Sequence, residues 1–170
     1  MPQTGRGIHA APGRLRMAKT DEYGPSQRAV AAARILIVED NPLNRLLIHD
    51  LLVLRGHEVL EAATVNEALA VLAVDAPELL PDLLLLDVQI PGGGAEAIIR
   101  EVQRRPELAA LPIVAVTSLA MPGDRERLLS IGFQGYLSKP IDTRSFGAAI
   151  ETYLDPGVTR ENRQHVRRLG

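Results

Sequence analysis

From Arg34 onward, short apolar runs alternate with stretches patterned at helical spacing. Ile35-Leu36-Ile37-Val38 has no polar alternation, which is the texture of a strand buried on both faces. It stops at Glu39-Asp40. Asn41 followed by Pro42 reads as an N-cap with proline at the first helical position, and Leu43, Leu46, Leu47, Leu51 and Leu54 follow at helical spacing until Gly56. A weaker strand over His57 to Glu61 leads into Thr64-Val65-Asn66-Glu67, a capping box that opens a helix through Leu69 and Leu72. Leu83 to Leu86 is a second uninterrupted apolar run, and it too ends on an acid, Asp87. After the Pro91-Gly92-Gly93-Gly94 loop, Ile98, Ile99 and Val102 mark a third helix that must end before Pro106. Ile113 to Val116 is the next buried strand and ends at Thr117-Ser118. A fourth helix is expected from about Gly123 to Ile131, stopped by Gly132. Tyr136-Leu137 forms the last strand, ending at Ser138-Lys139-Pro140, and Asp142 can cap a final helix carrying Phe146, Ala149, Ile150 and Tyr153.

Five strands alternating with five helices predict an α/β fold: a doubly wound, five-stranded parallel sheet with right-handed crossovers and helices on both faces. Ligands of such sheets bind beyond the carboxyl ends of the strands, where strand order reverses. At those ends the sequence puts Glu39 and Asp40 after strand one, Asp87 after strand three, Thr117 after strand four and Lys139 after strand five. One acid after a strand is commonly a helix cap. Three acids, a hydroxyl and an ammonium on one edge are a site. Crowded carboxylates repel unless a cation joins them, and hard oxygen ligands suit Mg2+, with Mn2+ as its substitute. Asp87 then reads as a carboxylate nucleophile for a phosphoryl group, with Lys139 offsetting charge and Thr117 supplying a hydroxyl.

Composition narrows this further. The chain has 170 residues, 46% of them apolar, which suits one domain, and no cysteine, which removes disulfides and fits a cytoplasmic setting. No apolar run approaches the roughly 20 residues that span a bilayer. With 3% aromatic residues there is little to build a base-stacking platform. The net charge of −2 conceals an acidic middle: residues 34–154 hold ten Lys/Arg against seventeen Asp/Glu, a net of −7. Basic segments flank it: residues 1–33 read as a disordered arm, within which Met17 offers a second start, and 155–170 as a tail.

Arg34-Ile35-Leu36-Ile37-Val38-Glu39-Asp40-Asn41-Pro42, Leu86-Asp87-Val88-Gln89-Ile90-Pro91, Val114-Ala115-Val116-Thr117-Ser118 and Tyr136-Leu137-Ser138-Lys139-Pro140 resemble, in order, the signatures of bacterial response-regulator receiver domains. Within that family the segment 34–154 is most similar to stand-alone, DivK-type regulators. The resemblance implies a flavodoxin-like (βα)5 fold with strand order 2-1-3-4-5 and a role in a two-component phosphorelay. It implies Asp87 as the acceptor of phosphate from a histidine kinase or phosphotransfer protein. Glu39, Asp40, Asp87 and the main-chain carbonyl of Gln89 would hold the metal. Thr117, Ser118, Tyr136 and Lys139 would form the phosphoryl-binding switch, beside a cis Lys139-Pro140 peptide. Arg125, Leu128, Leu129, Gln134, Tyr136 and Phe146 would face downstream protein targets or a second copy in a phosphorylation-dependent homodimer. Leu43, Arg45, Leu46 and Leu47 on helix one would meet the phosphodonor. One position departs from the family: Ala95 stands where members usually carry glycine, with Gly94 one residue early.

Competing readings fare worse. A phosphohydrolase of the haloacid dehalogenase type needs an acid two residues after the nucleophile, and Gln89 has no proton to give. Gly92-Gly93-Gly94 lacks the Lys-Ser/Thr of a nucleotide-binding loop. The sixteen residues after Leu154 are too few for a DNA-binding helix pair, so direct DNA binding is not expected. The remaining alternative is a degenerate receiver that binds partners without phosphate, against which stands the complete set of functional positions. The domain is expected to catalyse only its own phosphorylation and slow dephosphorylation.

Overall fold

The computed structural model describes residues 32–91, 94–118 and 123–154. The predicted arm up to residue 31, the tail 155–170, Gly92-Gly93 and Leu119 to Pro122 lie outside the described residues. The chain runs β1 (Arg34–Val38), α1 (Pro42–Val53), β2 (Glu58–Ala62), α2 (Val65–Leu72), β3 (Leu83–Asp87), α3 (Gly94–Arg104), β4 (Ile113–Thr117), α4 (Asp124–Ile131), β5 (Gly135–Ser138) and α5 (Phe146–Glu151), with 3-10 turns at Pro77–Leu79 and Pro106–Leu108. All strands are parallel, in the order β2-β1-β3-β4-β5.

The three inner strands are buried along their whole length, which is why β1, β3 and β4 read as unbroken apolar runs. The edge strands β2 and β5 are half exposed and read weakly for the same reason. Alternation along each inner strand divides the core in two. Ile35, Ile37, Leu83, Leu85, Val114 and Val116 face α1 and α5, where Ile48, Leu52, Phe146 and Ile150 meet them. Leu36, Val38, Leu84, Leu86, Ile113 and Ala115 face the other way, onto Ala68, Leu72, Ile98, Ile99, Val102 and Leu128. Among the described residues no helix is long and apolar enough to cross a membrane.

Helix α1 presents two apolar faces. Of the leucines at helical spacing, Leu43 is 76% exposed and Leu46, Leu47 and Leu54 are exposed as well, while Leu51 is partly buried against the core. Ile48 and Leu52 are the buried pair. Two overlapping apolar periods run along this helix, and the longer one faces solvent. Helix α5 also differs in detail, opening only at Phe146. Asp142 organises the turn before it, accepting from the Arg144 N–H at 3.0 Å and the Ser145 hydroxyl at 2.7 Å, and these bonds hold its carboxyl below the usual range.

Candidate functional site

The sheet reverses order between β1 and β3, and Glu39, Asp40 and Asp87 stand at the carboxyl ends of those two strands. Each offers a carboxylate oxygen, and the three oxygens lie within 4.8 Å of one another. Glu39 and Asp87 are buried; Asp40 is open to solvent. From the end of β5, Lys139 reaches over β4 to both buried acids, with Nζ 2.6 Å from Asp87 Oδ2 and 2.7 Å from Glu39 Oε2. Burial pulls the ammonium toward its neutral form, but the two carboxylates outweigh it and Lys139 titrates above its ordinary value.

The other oxygens of the buried acids are held by amides. The Gln89 N–H donates to Asp87 Oδ1 at 2.8 Å. Glu39 Oε1 accepts from the Asn41 N–H at 3.3 Å and from Asn44 Nδ2 at 3.1 Å. Thr117 is fully buried at the end of β4 and its carbonyl accepts from the Lys139 N–H at 2.8 Å; Ser118 beside it is exposed. The Lys139-Pro140 peptide is cis. Among the residues expected to bind the metal or the phosphoryl group, Tyr136 alone stands away from this edge, outward, with 39% of its surface exposed. A site with three converging carboxylate oxygens, one of them solvent-facing, and no sulfur or imidazole donor fits a hard divalent cation.

The expected output surface is placed only in part. Arg125, Leu128, Leu129, Gln134 and Tyr136 line one shallow pocket of about 120 Å³, together with Gly135 and Tyr153. Phe146 is not on that surface: it is 3% exposed and packs into the α1/α5 half of the core, since the first turn of α5 points its aromatic ring at the sheet. Gly94, for its part, lies where a Cβ would run into the Val65 and Ile90 side chains. The close approach of α3 to α2 that a glycine permits is thus made at Gly94, one residue before Ala95.

The sequence reading missed the residues that hold the acid pair from the α1 side. Arg45 Nη1 donates to the Glu39 carbonyl at 2.6 Å, and Glu61 on β2 stands 3.7 Å from Arg45 Nε while taking His49 Nδ1 at 2.6 Å. The available signal was spacing: Asn44 and Arg45 occupy the first turn of a helix that begins three residues after Glu39, so they are aimed back at it.

Comparison with known proteins agrees. The family model for the response regulator receiver domain matches residues 35–151. The polar-differentiation response regulator DivK of Brucella ovis is 38% identical over 120 residues, covering 71% of this chain and 94% of the relative. Among solved structures, the receiver domain of the sensor histidine kinase PA1611 of Pseudomonas aeruginosa, described with a magnesium ion in its active-site cleft, superposes with a TM-score of 0.61 at 30% identity, covering 73% of this chain and 98% of that one. The chemotaxis response regulator CheY4 of Vibrio cholerae shares the fold at a TM-score of 0.66, with 24% identity over 73% of this chain and all of its own. The chain belongs to the response-regulator receiver domains of bacterial two-component signalling and is DivK-like within them.

Proposed function

We propose that Asp87 accepts a phosphoryl group from a phosphohistidine on a histidine kinase or phosphotransfer protein, and that the charge it gains changes contacts with a downstream protein. Glu39, Asp40, Asp87 and the Gln89 carbonyl hold Mg2+, or Mn2+ in its place, and this ion when bound neutralises the carboxylates and polarises the phosphoryl oxygens. The observation that carries the reading is the single ammonium of Lys139 set between Asp87 and Glu39, with three carboxylate oxygens within 4.8 Å.

A carboxylate oxygen of Asp87 forms the new P–O bond as the P–N bond to the donor imidazole breaks, and the bonding pair leaves with the imidazole. Lys139 is already in contact with Asp87 Oδ2 and keeps that contact as negative charge accumulates. The Gln89 N–H orients the acceptor carboxylate through Oδ1. Thr117, followed by Ser118, ends the strand beside β3 and supplies a hydroxyl toward the phosphoryl oxygens. Tyr136, now outward, turns in as Thr117 moves, so a two-state element is biased by one charged group. Downstream proteins, or a second copy, read the pocket of Arg125, Leu129, Gln134 and Tyr136. Donors dock on the exposed leucines of α1, whose N-terminus adjoins the acids. A receiver that ignores phosphate would have no use for this complete acid and lysine set.

Intact mass after incubation with acetyl phosphate tests the reading. One phosphoryl group should be added to the wild type with Mg2+, and none to Asp87→Asn or in the presence of a chelator. Labelling that persists in Asp87→Asn removes Asp87 as the acceptor.

A further inference from the structure

Helix α1 carries a cation where its own dipole disfavours one. Arg45 is the fourth residue of the helix, after Pro42, and the first turn contains no acid to compensate. The N-cap needs nothing from it, because Asn41 Oδ1 already accepts from the Leu43 and Asn44 N–H groups at 2.9 and 3.2 Å. Instead the guanidinium is turned back past the start of the helix. Nη1 donates to the Glu39 carbonyl at 2.6 Å and lies 3.5 Å from that of Asp40, while Glu61 stands behind it on β2, itself tied to His49. Arg45 thus touches the main chain of both acidic residues at the end of β1, and no atom of the phosphoryl acceptor.

We infer that Arg45, anchored by Glu61, is a positioning residue for metal uptake: it fixes the main chain of Glu39-Asp40 and so sets where their carboxylates stand relative to Asp87. The inference rests on the reading of these acids as the Mg2+ site. Positioning and simple charge predict opposite signs. As a nearby positive charge Arg45 repels a divalent cation, so deleting it would tighten binding; as a brace on the ligands its deletion loosens binding.

The test is Mg2+ titration by calorimetry on the whole chain, for the wild type, Arg45→Met, Arg45→Lys, Glu61→Gln and Asp40→Asn, with thermal midpoints measured in chelator. Arg45→Met should weaken Mg2+ binding by about tenfold, the lower end for residues that orient metal ligands. Arg45→Lys, which keeps a donor within reach of the Glu39 carbonyl, should recover part of the loss, and Glu61→Gln should show a smaller loss. Unchanged or tighter binding in Arg45→Met, or a loss that Arg45→Lys shares in full, overturns the inference while leaving the metal reading intact. A wild type that binds no Mg2+, or an Asp40→Asn variant that binds it as well as the wild type, overturns both.

Discussion

Replacing Lys139 by Met removes the ammonium at nearly constant side-chain length and leaves Glu39 and Asp87 facing each other. Their side chains are 2% and 4% exposed, and their oxygens come within 4.8 Å. At that separation, with an effective dielectric constant of about 20, two carboxylates repel by about 3.5 kcal/mol. Breaking a buried ion pair by deleting one partner costs about 3 to 5 kcal/mol. The site opens to solvent at Asp40, so the lower end applies, and we expect a loss of about 3 kcal/mol in metal-free buffer at pH 7.5. For a domain of this size that lowers the melting midpoint by about 10 °C. Urea unfolding followed by circular dichroism, with and without Mg2+, measures it. Mg2+ should stabilise the variant more than the wild type, because the cation replaces the missing ammonium. In the wild type the folded state raises the Lys139 pKa, so its contribution is whole below the ordinary lysine value and fades only as the pH rises through the higher folded one. The deficit of the variant should therefore be level from pH 7 to 9. A loss below about 1 kcal/mol in metal-free buffer, or a deficit that Mg2+ does not narrow, would refute the claim that this one cation holds the acid pair together.

Two further outcomes follow from packing. On α1, Leu46→Asp should leave the melting midpoint within a few degrees but slow phosphoryl transfer from a phosphohistidine donor and not from acetyl phosphate, whereas Leu52→Ala should cost about 2 to 5 kcal/mol and leave both donors equivalent in the folded fraction. Gly94→Ala should destabilise by about 1 to 3 kcal/mol in thermal melts, because its methyl group meets Val65 and Ile90; Val65→Ala in the same chain should return part of it.

The fold was legible because the three inner strands are buried on both faces and ended by chemistry-bearing residues. Ile35 to Val38 and Leu83 to Leu86 admit no other strand texture, and Asp87, Thr117 and Lys139 followed from asking what stands at the strand ends. The observed strand order is the one the family resemblance implied, and the ends of those strands bring Glu39, Asp40, Asp87 and Lys139 together. Burial on the helices was less legible. Leu43, Leu46, Leu47 and Leu54 are as periodic as Ile48 and Leu52, and hydrophobicity alone cannot distinguish a stripe facing the sheet from one awaiting a partner. Phe146 was misplaced for a related reason: belonging to α5 does not say which side of α5 a residue occupies. Arg45 was legible only as part of the surface facing a phosphodonor, since its contact is to main-chain carbonyls that no pattern of side chains records.

The sheet is one strand-layer thick, and the two halves of the core on either side of it share no side chain. It acts as a partition: a change of side-chain volume beneath α1 and α5 has no direct packing route to the chamber beneath α2, α3 and α4. What the two chambers have in common is the rim where the strands end. Lys139 ties that rim together from β5 across to β1, in contact with the acids of both inner strands that carry them. A disturbance at the rim therefore reaches both sides at once, whereas one arising within either chamber reaches the other only through the shared strand backbones.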